Sequence, residues 1–112
     1  MKKYEVWVAD LNPSFGTKAG KTRPVVLVQT DLLNGQHSST IICPLTTKVV
    51  AGLNRMRVHL KTGEAGLITD SDILVDQIRA IDNRLLLQQL GFLPAAAQVK
   101  LDENLKIMLD LA

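Results

Sequence analysis

Apolar and polar residues alternate in short runs along most of the chain, and one three-and-four repeat closes it. Tyr4, Val6 and Val8 alternate with Glu5, Trp7 and Ala9, which predicts a first strand over 4–9 and leaves Trp7 either in the core or on a dimer surface. A run rich in Asn, Pro, Ser, Gly and Lys from Asp10 to Thr22 reads as a long loop, of the kind that is usually functional or mobile. Pro24 and the β-branched run behind it predict a second strand over 24–29. A turn or short helical segment through Asn34-Gly35 separates it from a third strand over 40–45. Met56, Val58 and Leu60 alternate with Arg55, Arg57 and His59, which predicts a strand over 56–60 with its basic residues on one face. Residues 61–66 read as a turn and 73–81 as one further strand, while 84–93 fits neither template. Pro94 suits the first position of a helix on which Ala97, Leu101, Leu105, Met108 and Ala112 form one stripe. A sheet whose apolar face is covered by one helix is a small antiparallel sheet or barrel.

Length and composition fit that picture and narrow it. A chain of 112 residues holds one modest core, so a single domain over 1–112 is expected. With 46% apolar and 21% charged residues it folds instead of remaining disordered. Cys43 is the only cysteine, which excludes an intramolecular disulfide, and its place in Ile41-Ile42-Cys43 reads as a small core residue. Glu5 and Asp10 interrupt the amino terminus where a signal peptide is apolar, and no run is long enough to span a membrane, so a cytoplasmic protein is expected. The net charge of +2 hides a polarity: residues 1–61 carry +6 and residues 62–112 carry −4. Such a distribution permits a basic face for a polyanion.

The stretch GTKAGKTRPVVLV, from Gly16 to Val28, contains Gly20-Lys21-Thr22, the end of a nucleotide-binding P-loop. The first glycine of that motif would fall at Phe15, and a strand follows where a helix is needed. An ATP cradle is therefore excluded, and the lysines and arginine of the loop are left for phosphates of another kind.

Five segments together resemble the MazF/PemK (Kid) family of toxins of type II toxin-antitoxin systems. They are VWVADLNP at 6–13, GTKAGKTRPVVLVQ at 16–29, ICPLTT at 42–47, AGLITDSDILVDQIRAID at 65–82 and the C-terminal ENLKIMLDL. The resemblance implies a mainly β fold, an SH3-like or CcdB-like small antiparallel barrel with a C-terminal amphipathic helix. It further implies a homodimer and a sequence-specific endoribonuclease that needs no metal. Such an enzyme cuts single-stranded RNA, mRNA included, by attack of the ribose 2′-OH, and a MazE-like antitoxin with a disordered acidic tail neutralises it.

Cleavage of this kind develops negative charge on the phosphate oxygens, and a guanidinium stays charged and offers several donors to them. Arg23 matches the family's catalytic arginine and Thr46 its catalytic threonine, whose hydroxyl is expected to hydrogen-bond the scissile phosphate or the 2′-OH. Thr47 shares that position, and Asp76-Gln77 matches a pair with a supporting role. Asp76 has an alternative reading as a structural partner of Arg79 or Arg84. Lys18 and Lys21 are expected to hold backbone phosphates on a loop hinged at Gly16 and Gly20. Phe15 is the best placed of the possible base-stacking residues, which also include Tyr4, Trp7 and Phe92.

The chain departs from the family's pattern at three places. Thr17 and Lys18 stand where some members have His or Ser followed by Glu, and Leu74 stands where the Kid branch has an arginine, so those acid-base roles do not carry over. Thr17 is retained as an RNA-binding position only. His37 and His59 match no catalytic position, which leaves the general base unassigned. Two histidines and a lone cysteine form no metal-ligand pattern, so no metal and no cofactor is expected. Two other readings keep the fold: an inactive RNA-binding relative, and a CcdB-like toxin directed at DNA gyrase. The gyrase reading lacks support at MLDLA, where that family ends in Trp-Gly-Ile.

Overall fold

The structure, a computed structural model, describes residues 1–12, 21–53 and 56–111. Among the described residues seven strands precede one α-helix: β1 (Glu5–Asn12), β2 (Lys21–Leu27), β3 (Ser39–Thr46), β4 (Arg57–Leu60), β5 (Ser71–Leu74), β6 (Arg79–Asp82), β7 (Leu86–Phe92) and α1 (Ala95–Met108). Every pairing is antiparallel, in the order β4-β5-β3-β2-β1-β7, with β6 also on β3. The mainly β fold with a C-terminal helix is thus the one expected. The ambiguous segment proves to be a strand, because β7 finds an edge on β1 that its own pattern does not announce.

Alternation places two apolar clusters on opposite faces of the sheet. Val6, Val26, Cys43, Leu45, Val58, Leu60, Ile73 and Val75 point to one face, where Leu93, Ala97 and Leu101 cover them. Ala9, Val25, Leu27, Ile42 and Ile81 form a smaller cluster on the other face, with Trp7, Leu11, Leu85 and Leu86 at its rim. Trp7 therefore packs on the second cluster, and its indole N–H donates to Glu5. Cys43 is buried as expected, and desolvation pushes its thiol up to about 12.

Three expectations are corrected. The segment 73–81 is not one strand. An unbroken ladder continuing from Leu45 opposite Ile73 would bring Ile42 opposite Asp76, yet Ile42 faces Arg79, three residues later. The three extra residues, Val75–Gln77, loop out as a turn of 3-10 helix, with Val75 driven into the core and Asp76 and Gln77 outward. The barrel, secondly, is not closed by hydrogen bonds: among the described residues no ladder joins β4 to β7. Backbone packing bridges the gap instead. A Cβ at Gly66, whose φ is +75°, would meet Leu90 O at 2.1 Å, and one at Gly91 would meet Ala65 O at 2.6 Å. Thirdly, Pro94 stands one position before the helix, as its extended N-cap, and its carbonyl accepts the Ala97 and Gln98 amides.

On α1 the buried positions are Ala97, Leu101 and Asn104, while Leu105 packs partly on the core and Met108 is exposed; Ala112 lies outside the described residues. The stripe rotates toward Asn104 because its amide donates to the Arg57 carbonyl at 3.4 Å, against the edge strand β4. Tyr4 Oη donates to Asp102 at 2.6 Å and ties the helix to the start of β1. Burial and this acceptor together push the Tyr4 phenol up to about 12. No helix among the described residues is long and apolar enough to cross a membrane.

The close approach at Gly66 and Gly91 sets a test of how the sheet ends are joined. Gly91→Ala is expected to destabilise the protein by about 2–3 kcal/mol, because backbone must move to admit the methyl group. Gly35→Ala, at a positive φ but in open space, is expected to cost only about 1 kcal/mol. Urea unfolding of the two variants beside the parent measures both.

Candidate functional site

The pairing of β2 with β3 ends at Val25 opposite Pro44. Pro24, whose nitrogen faces β3, supplies no N–H to the ladder at this point, and the pairing goes no further. Two depressions open there side by side, of about 430 and 460 Å3, with Arg23 and Gln77 on the lining of both. Lys21 and Arg79 line the first; Thr46, Thr47, Lys48, Arg57 and Leu74 line the second. No carboxylate and no imidazole is among the described residues lining either one.

The positions follow from register. Extending the β2–β3 ladder by two residues sets Arg23 across from Thr46; Thr46 pairs with Asp72 on β5, and Asp72 with His59 on β4. Cross-strand partners share a face. Arg23, Thr46, Asp72 and His59 therefore form one transverse row across β2, β3, β5 and β4. Arg23 is half-buried, and its side chain has no hydrogen-bond or ion-pair partner among the described residues. Its guanidinium is left with unused donors facing both depressions. Thr46 Oγ1 accepts the Lys48 amide at 3.2 Å, a local turn bond that fixes the hydroxyl and leaves its hydrogen to donate. The turn role and the site role of this threonine are thus compatible.

Asp72 has no exposure, yet its carboxylate is fully used. Oδ2 accepts from the Val50 amide and from Arg57 Nη1, both at 3.0 Å, and Oδ1 from His59 Nδ1. Burial alone would raise this carboxyl, but the Val50, Arg57 and His59 bonds outweigh it and hold it below the usual 3.8. Arg57 Nη1 also donates to the Lys48 carbonyl at 2.8 Å. Asp72 and Arg57 together clamp the segment after β3, which carries Thr47 and Lys48.

The remaining expected positions divide. Lys21 and Gln77 reach the depressions, and so does Thr47. Asp76 is exposed on the 3-10 turn and lines neither. It also pairs with neither arginine suggested for it: Arg84 Nη2 bonds Asp82 at 2.9 Å, and Arg79 Nη2 reaches the Leu11 carbonyl at 3.5 Å. The Arg84 contacts hold the Asp82 carboxyl down at about 2. Phe15, Thr17 and Lys18, with Gly16 and Gly20, lie outside the described residues, as does Arg55. Tyr4, Trp7 and Phe92 do not line the depressions; Tyr4 and Phe92 stack edge to face on each other at 6.4 Å. His37 is exposed in the turn before β3. His59 stands two strand spacings from Thr46, about 10 Å, beyond reach of the same phosphate. Among the described residues no three His, Cys, Asp or Glu side chains come together to hold a metal.

Lys48, Arg57, Arg79 and Asp72 were not singled out from the sequence as site residues. The alternation over 56–60 put Arg57 and His59 on one face, but nothing local revealed that a buried carboxylate two strands from Arg23 would meet them. Leu74 is the direct cross-strand partner of Arg57.

Comparison with known proteins places this arrangement in a family. The PemK-like, MazF-like toxin of type II toxin-antitoxin system matches residues 2–109. Endoribonuclease MazF of Staphylococcus epidermidis is 32% identical over 111 residues, 99% of this chain and 92% of that protein. Endoribonuclease EndoA of Bacillus subtilis is likewise 32% identical over 111 residues, covering 99% of this chain and 96% of that protein. Among solved structures, a MazE-MazF crystal structure from Deinococcus radiodurans superposes with a TM-score of 0.82 at 22% identity, over 100% of this chain and 97% of that one. The chain belongs to the PemK-like, MazF-like toxin family.

The Asp72 contacts predict a pH signature. With its carboxyl lowered in the fold, the folded state binds fewer protons than the unfolded state between the two pKa values, so this stabilisation is complete above about 4 and fades as pH falls through the folded value. Asp72→Asn is expected to cost about 2–3 kcal/mol at neutral pH. The deficit relative to the parent should shrink in acid, as read by urea unfolding from pH 7 down to pH 3.

Proposed function

We propose that residues 1–112 act as one toxin domain, a sequence-specific endoribonuclease that cuts single-stranded RNA without a metal. The observation that carries the reading is the meeting of Arg23 and Thr46 in one depression whose charged lining, among the described residues, is wholly cationic. A polyanionic strand is the ligand such a lining suits, and five cations around two joined depressions give several phosphates a place. The family relatives named endoribonuclease support the same class of substrate.

In the proposed reaction the 2′-oxygen attacks the adjacent phosphorus, the bond to the 5′-oxygen breaks, and a 2′,3′-cyclic phosphate and a 5′-hydroxyl result. Arg23 donates to the non-bridging oxygens as charge builds on them, in a partly closed site where such donors act strongly. The Thr46 hydroxyl, fixed by the Lys48 amide, donates to the same phosphate and orients it. The 2′-OH gives up its hydrogen and the leaving 5′-oxygen gains one; the described lining supplies charge and position for these steps, and no acid or base among its residues.

The cationic lining equally suits an acidic antitoxin tail, and a fold relative is a MazE-MazF complex. A MazE-like antitoxin that competes with RNA, and a homodimeric toxin, complete the reading. The absence of an imidazole or carboxylate among the described lining residues favours one alternative, an RNA-binding protein that does not cut.

Incubation of the protein with long mixed-sequence RNA and its DNA copy, in chelator, separates these. Discrete cuts in RNA alone are expected. Arg23→Ala should lower the rate by about 10²–10³-fold, and its stability should stay within about 0.5 kcal/mol of the parent, because the Arg23 side chain makes no hydrogen bond or ion pair among the described residues. Intact RNA with folded protein would overturn the nuclease reading in favour of binding alone.

A further inference from the structure

Arg57 lines a second depression besides the one it shares with Arg23. That one, of about 320 Å3, lies between β4 and α1 and is also lined by His59, Lys100, Glu103 and Asn104. Arg57 is therefore the side chain at which the two spaces meet. Only 19% of it is exposed and it pairs with Asp72, yet its donors are not all used by its surroundings. A single nitrogen, Nη1, makes both of its bonds, to Asp72 Oδ2 at 3.0 Å and to the Lys48 carbonyl at 2.8 Å. Nη2 and Nε have no partner among the described residues. A guanidinium fixed at one corner with its other donors free is poised to bind an anion rather than to complete a structural ion pair.

The network behind it also looks built for position. Replacing a buried ion pair by apolar residues is often neutral or stabilising, so stability alone does not account for a carboxylate with no exposure. Asp72 receives the Val50 amide, Arg57 and His59 at once, and thereby fixes Arg57 relative to Thr46, its own neighbour across the ladder. Arg57 stands on β4, one strand beyond Asp72 and on the far side of Thr46 from Arg23. That separation suits a phosphate next to the one held by Arg23 and Thr46, not the same one.

We propose that Arg57, positioned by Asp72, is a second phosphate-binding guanidinium of the site, which holds the neighbouring phosphate of the RNA strand and directs the strand toward the space between β4 and α1. Arg57 touches the substrate, and Asp72 acts through Arg57. This inference rests on the nuclease reading only for the identity of the ligand as RNA.

The test uses 2′-O-methyl RNA, which cannot be cut, so binding is read apart from chemistry. Affinity is measured by fluorescence anisotropy from 50 to 300 mM salt for the parent, Arg57→Gln, Arg57→Lys and the double variant Arg57→Gln/Asp72→Asn, with melting temperatures as the check on folding. One phosphate contact on a single strand contributes about 0.7 to the slope of log affinity against log salt. Arg57→Gln and the double variant are expected to lose about that much slope and to raise KM on cleavable RNA by about tenfold. Arg57→Lys keeps the charge and should keep the slope while losing a few-fold in affinity; it also keeps the pair with Asp72 and remains informative if the neutral variants unfold. A folded neutral variant with the parent's slope and KM would overturn the proposal and leave Arg57 a structural residue. If only the neutral variants unfold, parental affinity and KM in Arg57→Lys would overturn it as well. Should the parent bind but not cut, the nuclease reading fails and the slope still decides the role of Arg57.

Discussion

The backbone of β3 is buried and must be paired along both edges, and the rest of the molecule is arranged around that demand. One edge is met by β2. The other is met in two stages, by β6 over Ser39–Ile42 and by β5 over Leu45–Thr46. The two stages are out of register by three residues, and the surplus becomes the turn Val75–Gln77. That offset adds Val75 to the core and sends Gln77 to the lining of both depressions. A feature that looks like a broken strand is thus the means by which a core strand and a surface site are served by one segment.

The same sheet is opened at one place and fastened at another. Pro24 ends the β2–β3 ladder where the depressions lie, because it has no N–H to donate toward β3. Near its other side, Gly66 and Gly91 allow backbone to pack on backbone and hold β7 against the connection between β4 and β5. Side chains larger than hydrogen at these glycines would separate the ends of the sheet. The openness of the site therefore does not require looseness of the fold.

Electrostatically the site works against the fold's own stability. Lys21, Arg23, Lys48, Arg57 and Arg79 share two joined spaces, and like charges so placed repel. One carboxylate, Asp72, offsets part of this from behind without lining either space. It orders the segment beyond Thr46 through Val50 and Arg57. Leaving Arg23 unpaired while pairing Arg57 is a division between a cation kept for a ligand and a cation that also holds the loop.

What the sequence determined by itself was what local pattern and quoted motifs can carry. Alternation located most of the strands, the three-and-four repeat located α1, and the ordered motifs pointed to the family and to Arg23, Thr46, Thr47, Lys21 and Gln77 as candidates, all of which line the depressions. The closure of the sheet and the break after Leu74 were not legible, because register is a relation between strands and each strand's pattern is the same whichever partner it meets. For the same reason nothing in the pattern marked Asp72 or Arg57 as a site residue. Only the tertiary structure decided that they meet, since β4 and β5 pair across a connection whose residues say nothing of the loop after β3 that both of them hold.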